Sequence, residues 1–136
     1  MAGFKFRLAK VLKLRERAEQ DASREVGRRL SLLMACRQHL VNLEENMKAL
    51  LEKRNRLQQG QVVPSELAQN RYQIIVLERA QEMTGIKLIR LEQELDEARL
   101  VLVEKNREKQ LLAKLRERQE EEFKMEALRK ELKEQD

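Results

Sequence analysis

Between Phe4 and Lys133 the chain is broken once, at Gln59-Gly60-Gln61-Val62-Val63-Pro64-Ser65. Gly60 suits the left-handed position just past a helix end, and Pro64 with Ser65 suits the opening turn of the next helix. On either side, apolar residues recur at helical spacing almost without a gap. The pattern predicts an all-α chain that forms a single coiled-coil domain over 1–136, with a helix over 4–58, a turn over 59–64 and a helix over 65–133. Sandwiches and doubly wound folds need frequent turns and branched strands, which four glycines and one proline do not supply.

Composition decides between this reading and disorder. Ala, Glu, Lys, Leu and Arg make up 84 of 136 residues, above the roughly 50% that signals long helices. Charge is high and mean hydropathy low, but a disordered chain lacks periodic Leu, Ile and Val. Only four aromatics, Phe4, Phe6, Tyr72 and Phe123, are available, too few for the core of a compact enzyme of this length. A lone cysteine, Cys36, cannot form an internal disulfide and fits a reducing compartment. No run of about 18 apolar residues is present to span a membrane. The basic start lacks an uninterrupted apolar h-region and a clean cleavage site, so no secretory signal is expected.

In the first helix Leu33, Cys36, Leu40, Leu43, Met47, Leu50, Arg54 and Leu57 alternate three and four apart, the seam of a coiled coil with one polar exception. Toward the N-terminus the stripe is read through Leu30, Val26, Ala22, Ala18, Leu12, Val11 and Leu8. The second helix carries Leu67, Ile74, Leu77, Leu88, Leu91, Leu95, Ala98, Leu102, Leu112 and Leu115, interrupted by Gln81, Thr84 and Lys105. Polar seam positions cost stability and fix register, so these three are read as register devices rather than active-site groups.

A chain that folds back at 60–63 pairs residues whose numbers add to about 124, by antiparallel geometry alone. Apolar then meets apolar: Leu57 with Leu67, Leu50 with Ile74, Met47 with Leu77, Leu33 with Leu91, Ala22 with Leu102, and Leu12 with Leu112. The fold predicted is two long helices forming an antiparallel coiled-coil hairpin with an overhanging C-terminal helix, from about Glu121 onward and roughly 24 Å long at 1.5 Å per residue. Gly27 and Gly85 fall inside the helices, either as tolerated small residues or as points of bending or close approach; the former is preferred.

No reaction chemistry is legible. Cys36 and His39 lie three apart, but metal sites need three or four ligands and no further Cys or His exists. Consecutive carboxylates at Glu120-Glu121-Glu122 diverge around a helix and are expected to pair with Lys5 and Arg7. No phosphate loop or nucleophile elbow appears; neither an enzyme nor a cofactor is expected. Charge is more informative, because residues 1–17 carry six cations against Glu16, the same +5 as the whole chain. Such an end could meet an anionic membrane, nucleic acid or an acidic protein surface.

The opening Phe4-Lys5-Phe6-Arg7-Leu8-Ala9-Lys10-Val11-Leu12-Lys13-Leu14-Arg15-Glu16-Arg17 closely resembles the start of FliJ proteins, which often begin F-x-F-x-L-x-x-V-L-x-x-R-x-x. Lys114-Leu115-Arg116-Glu117-Arg118, followed by Phe123 and a Glu-Lys tail, is similar to the family's close, and Tyr72 to Glu78 to the opening of its second helix. The resemblance spans nearly the full length. It implies a central-stalk component of the flagellar type III export apparatus, cytoplasmic and peripheral at the inner membrane. The implied partners are the hexameric export ATPase FliI, the export-gate protein FlhA, export chaperones and FliH. By the same resemblance Lys5, Arg7, Lys10, Arg15, Lys114, Arg116 and Arg118 would meet the ATPase ring, and Tyr72, Ile75 and Leu77 the gate. The family's aromatic four before the Leu falls here on Gln73, with Tyr72 one position earlier. Ile75 lies off the seam, as a broadened core or a contact.

Two other classes compete. A virulence-injectisome stalk would share the fold, and the F-x-F start favours the flagellar branch. A nucleic-acid-associated coiled coil would bind any DNA in a steeply salt-dependent way; the basic segment lacks the interleaved aromatics of single-strand binders, and no nucleic acid is expected as a partner.

Overall fold

The computed structural model describes residues 3–135, and these form two helices, α1 (Ala9–Leu57) and α2 (Pro64–Gln135), packed against each other. No strand occurs among the described residues. The C-terminal end is a continuation of α2, not a separate helix. Contacts divide the chain into two units: Gly27–Asp96, which contains the turn, and the residues up to Val26 together with those from Glu97 onward.

The turn forms as the residues dictate. The last turn of α1 tightens, with Gln59 N–H donating to the Arg56 carbonyl at 3.2 Å, and Gly60 then takes φ 71°, a value costly for any residue with a Cβ. α2 opens on Pro64, whose missing N–H would be unpaired there in any case, with Glu66 in its first turn against the helix dipole. A Cβ at Gly27 or Gly85 would meet nothing within 4 Å, so neither glycine serves a close approach.

The start differs from expectation: 4–8 was expected in the first helix, whereas α1 begins at Ala9. Its first turn holds no acidic residue and carries Lys10, a cation set against the dipole. The preceding residues turn instead, Ala9 N–H donating to the Phe6 carbonyl at 3.2 Å, and this lets the Phe6 side chain bury.

Within Gly27–Asp96 the seam is strict. Leu33, Cys36, Leu43, Ile74, Leu91 and Leu95 are buried, together with Asn70 and Thr84. Cross-helix partners confirm the register: the numbers add to 123 for Arg29–Glu94, 129 for Arg37–Glu92, and 120 for both Cys36–Thr84 and Asn70–Leu50, bracketing 124. In the other unit Arg15–Glu108 adds to 123 and Glu19–Lys109 to 128. Counting sevens back from Leu33 and Cys36 reaches Glu19, Arg29 and Arg15, not the Val11 and Leu30 of the expected stripe, and both of those are exposed. Small Ala22 and Ala98 are buried in the unit that holds Arg15 and Glu19.

Asn70 is the most buried residue, at 1% exposure. Its Nδ2 donates to the Leu50 carbonyl at 3.1 Å, tying α2 to α1, while its Oδ1 has no hydrogen-bond partner. A buried amide of this kind costs stability and specifies one register, because any slip strands its donor beside an oxygen that already lacks a partner. Asn70→Leu is expected to raise the chemical denaturation midpoint, by about 1 kcal/mol of stability, while broadening amide NMR signals through alternative pairings; a lowered midpoint would show that the hydrogen bond outweighs the orphan oxygen. Gly60→Ala should lower the midpoint by about 1 kcal/mol without changing helix content by circular dichroism.

Candidate functional site

Two surfaces stand out, one in each unit. At the N-terminal end, Lys5, Arg7, Lys10, Lys114, Arg116 and Arg118 are exposed and form no ion pair among the described residues. The register set by Arg15–Glu108 brings Lys10 level with Lys114. Arg15 is different: its guanidinium pairs with Glu108 at 2.8 Å, and Lys105 reaches the same carboxylate at 3.7 Å. One turn on, Lys109 pairs with Glu19. These groups occupy the seam, so Arg15, still 44% exposed, links the two helices.

The pairing of Glu120, Glu121 and Glu122 with Lys5 and Arg7 does not occur. Lys5 and Arg7 precede α1 and are not carried on its register, and Glu120 lies 4.0 Å from Lys124 on its own helix. The end is closed by aromatics instead. Phe4 and Phe123 meet with ring centroids 5.7 Å apart at 51°, a tilted contact of favourable geometry, and Phe6 is buried nearby in sequence. Beyond Phe123, α2 is exposed apart from half-buried Ala127.

The second surface lies near the turn. A groove of about 580 Å³ runs between α1 and α2, lined by Asn46, Ala49, Leu50, Lys53 and Arg56 on one side and by Tyr72, Gln73, Val76, Leu77 and Ala80 on the other. It unites two of the three residues expected to act together, Tyr72 (68% exposed) and half-buried Leu77, while Ile75, 57% exposed, does not line it. Gln73, which stands where the resemblance expects an aromatic, also faces this groove. Sequence reasoning missed the α1 wall, because Ala49 and Lys53 look like ordinary flank positions until α2 lies beside them.

Cys36 is buried, its thiol 3.7 Å from the Thr84 carbonyl, and His39 is exposed beside it. No cluster of three or more metal-ligating side chains occurs among the described residues, and no described helix is long and apolar enough to cross a membrane.

Fold and surfaces together define a two-helix coiled-coil protein whose distinguishing features are a cationic end and an apolar interhelical groove. The family model described as "Flagellar FliJ protein" matches residues 4–136, and the chain belongs to the FliJ family. That membership makes it a component of flagellar type III protein export. No curated protein and no solved structure matches it.

Phe123→Ala is expected to remove the aromatic contact at a cost of about 1 kcal/mol. Hydrogen exchange should then accelerate at 9–14 and 114–123 and stay unchanged within 33–50; uniform acceleration would place the effect on global stability instead.

Proposed function

We propose that the protein is a non-enzymatic central-stalk component of the flagellar export apparatus, acting on the cytoplasmic side of the inner membrane. Its cationic end, Lys5, Arg7, Lys10, Lys114, Arg116 and Arg118, docks to the hexameric export ATPase. The turn-side groove at Tyr72 and Leu77, with exposed Ile75 beside it, engages the export gate, and export chaperones bind the same molecule. The C-terminal end of α2 beyond Phe123 overhangs its partner helix and enters the ring. The observation that supports this reading is the set of six exposed cations of this end that form no ion pair among the described residues, although Glu117 and Glu120 to Glu122 lie close by in sequence. Electrostatic docking of such an end sets association rate and orientation more than total affinity.

Lys10→Glu with Arg116→Glu is expected to weaken the complex with the cognate export ATPase at least about tenfold, as loss of a few kcal/mol of charge complementarity would. Circular dichroism should show unaltered helix content. Arg15→Glu should instead lower thermal stability, because it places two carboxylates together in the seam. Full binding by the Lys10/Arg116 variant in pull-down and ATPase-stimulation assays would sink the docking assignment.

A further inference from the structure

The side of Gly27–Asp96 that holds the turn-side groove continues past it. Two more depressions, about 380 and 470 Å³, share His39, Lys87 and Arg90. Their α1 positions lie two heptads from those of the first groove, Ala35 from Ala49 and His39 from Lys53, and on α2 Lys87 lies one heptad from Ala80. Residues whole heptads apart face the same way on a coiled-coil helix. The three depressions therefore form one trough along this side, between α1 and α2.

Its floor is apolar and shallow-sided. Ala35, Ala49 and Ala80 keep the helix backbones accessible, and Leu32, Val76 and Met83 supply larger apolar surface. The rim is cationic: Arg29, Lys53, Arg56, Lys87 and Arg90 line the trough against one carboxylate, Glu94. Glu94 is itself held by Arg29 and Arg90, whereas Lys53, Arg56 and Lys87 form no ion pair among the described residues. The segment as a whole is nearly balanced, so its excess cation is gathered on this side.

We propose that the trough takes one acidic amphipathic helix of a protein partner, laid lengthwise so that this part of the hairpin becomes a local three-helix bundle. The proposal rests on the reading of the turn-side groove as a protein-docking site and adds the chemistry of what docks there. Small floor residues admit close approach of a helix, whose apolar side chains at i, i+3, i+4 and i+7 fill the depressions. Its flanking carboxylates meet Lys53, Arg56 and Lys87. From Leu32 to Lys53 the trough runs roughly 30 Å at 1.5 Å per residue, room for about 20 residues of helix. A nucleic acid would satisfy the rim and leave the apolar floor unfilled. A second copy presenting the same side would set two cationic rims against each other, a repulsive arrangement.

The probe is a labelled 21-residue helix-forming peptide with a Leu stripe and Glu flanks, titrated against the full chain by fluorescence anisotropy. Binding is expected to weaken about tenfold or more in Lys53→Glu/Lys87→Glu and on raising salt to about 0.5 M. It should be abolished when the peptide's Glu flanks become Lys or its Leu stripe becomes Ser, and be retained in Lys10→Glu/Arg116→Glu. Equal affinity for the trough variant, loss confined to the basic-end variant, or displacement of the peptide by duplex DNA would each overturn the proposal. So would a wild-type dimer by sedimentation that Lys53→Glu/Lys87→Glu dissociates. Binding of the export gate's cytoplasmic domain, measured in parallel, separates the two readings: peptide binding without gate binding supports the trough and removes the gate assignment, and gate binding without peptide binding overturns the trough alone.

Discussion

Everything in this protein depends on a seam one stripe wide. Two helices can bury only the faces they turn to each other, and with four aromatics in the chain that burial rests on Leu, Ile, Val and Ala at every third and fourth position. In Gly27–Asp96 the seam is largely apolar, with Leu33, Leu43, Ile74, Leu91 and Leu95 buried together with Asn70 and Thr84. In the other unit, between Leu12 and Ala22, the same positions hold Arg15 and Glu19, answered by Glu108 and Lys109. Those groups are 24–44% exposed, so salt screens them and each pair adds little net stability. They specify register where small side chains supply little apolar area, and the Phe4–Phe123 contact with buried Phe6 holds the end that they leave weak.

A hairpin built on one seam leaves its flanks uncovered. Apolar residues such as Tyr72, Ile75, Met83 and Ile86 stand more than half exposed, which a compact domain would not leave in such number along one helix. Charge is sorted among these flanks. Of the described residues, cations without ion pairs occur at the N-terminal end, among Glu117 and Glu120 to Glu122, and along the trough, where the one carboxylate is Glu94.

Much of this was legible in the sequence because helices write their burial as a period. The break at Gly60 and Pro64, the two helices and the register near 124 follow from local chemistry and antiparallel geometry, and the cross-helix partners agree with them. Apolar character and heptad count part company in places. Val11 and Leu30 are apolar yet exposed, whereas strict counting puts Arg15, Glu19 and Arg29 on the seam. Asn70, a polar residue between Leu67 and Ile74, carries no apolar mark of the seam position in which it is buried.

What the sequence determined by itself was the topology: one glycine able to adopt positive φ, one proline at a helix start and a sustained apolar period leave a long hairpin as the consistent solution. The burial of Phe6 ahead of α1, the pairing of Arg15 with Glu108 in the seam, the meeting of Ala49 and Lys53 with Tyr72 and Leu77, and the gathering of cations along one side were decided only by tertiary structure. The physical reason is that periodicity records which side of a helix is buried. It does not record which residues of the other helix lie across from it on the exposed flanks, and a groove exists only when both walls are in place.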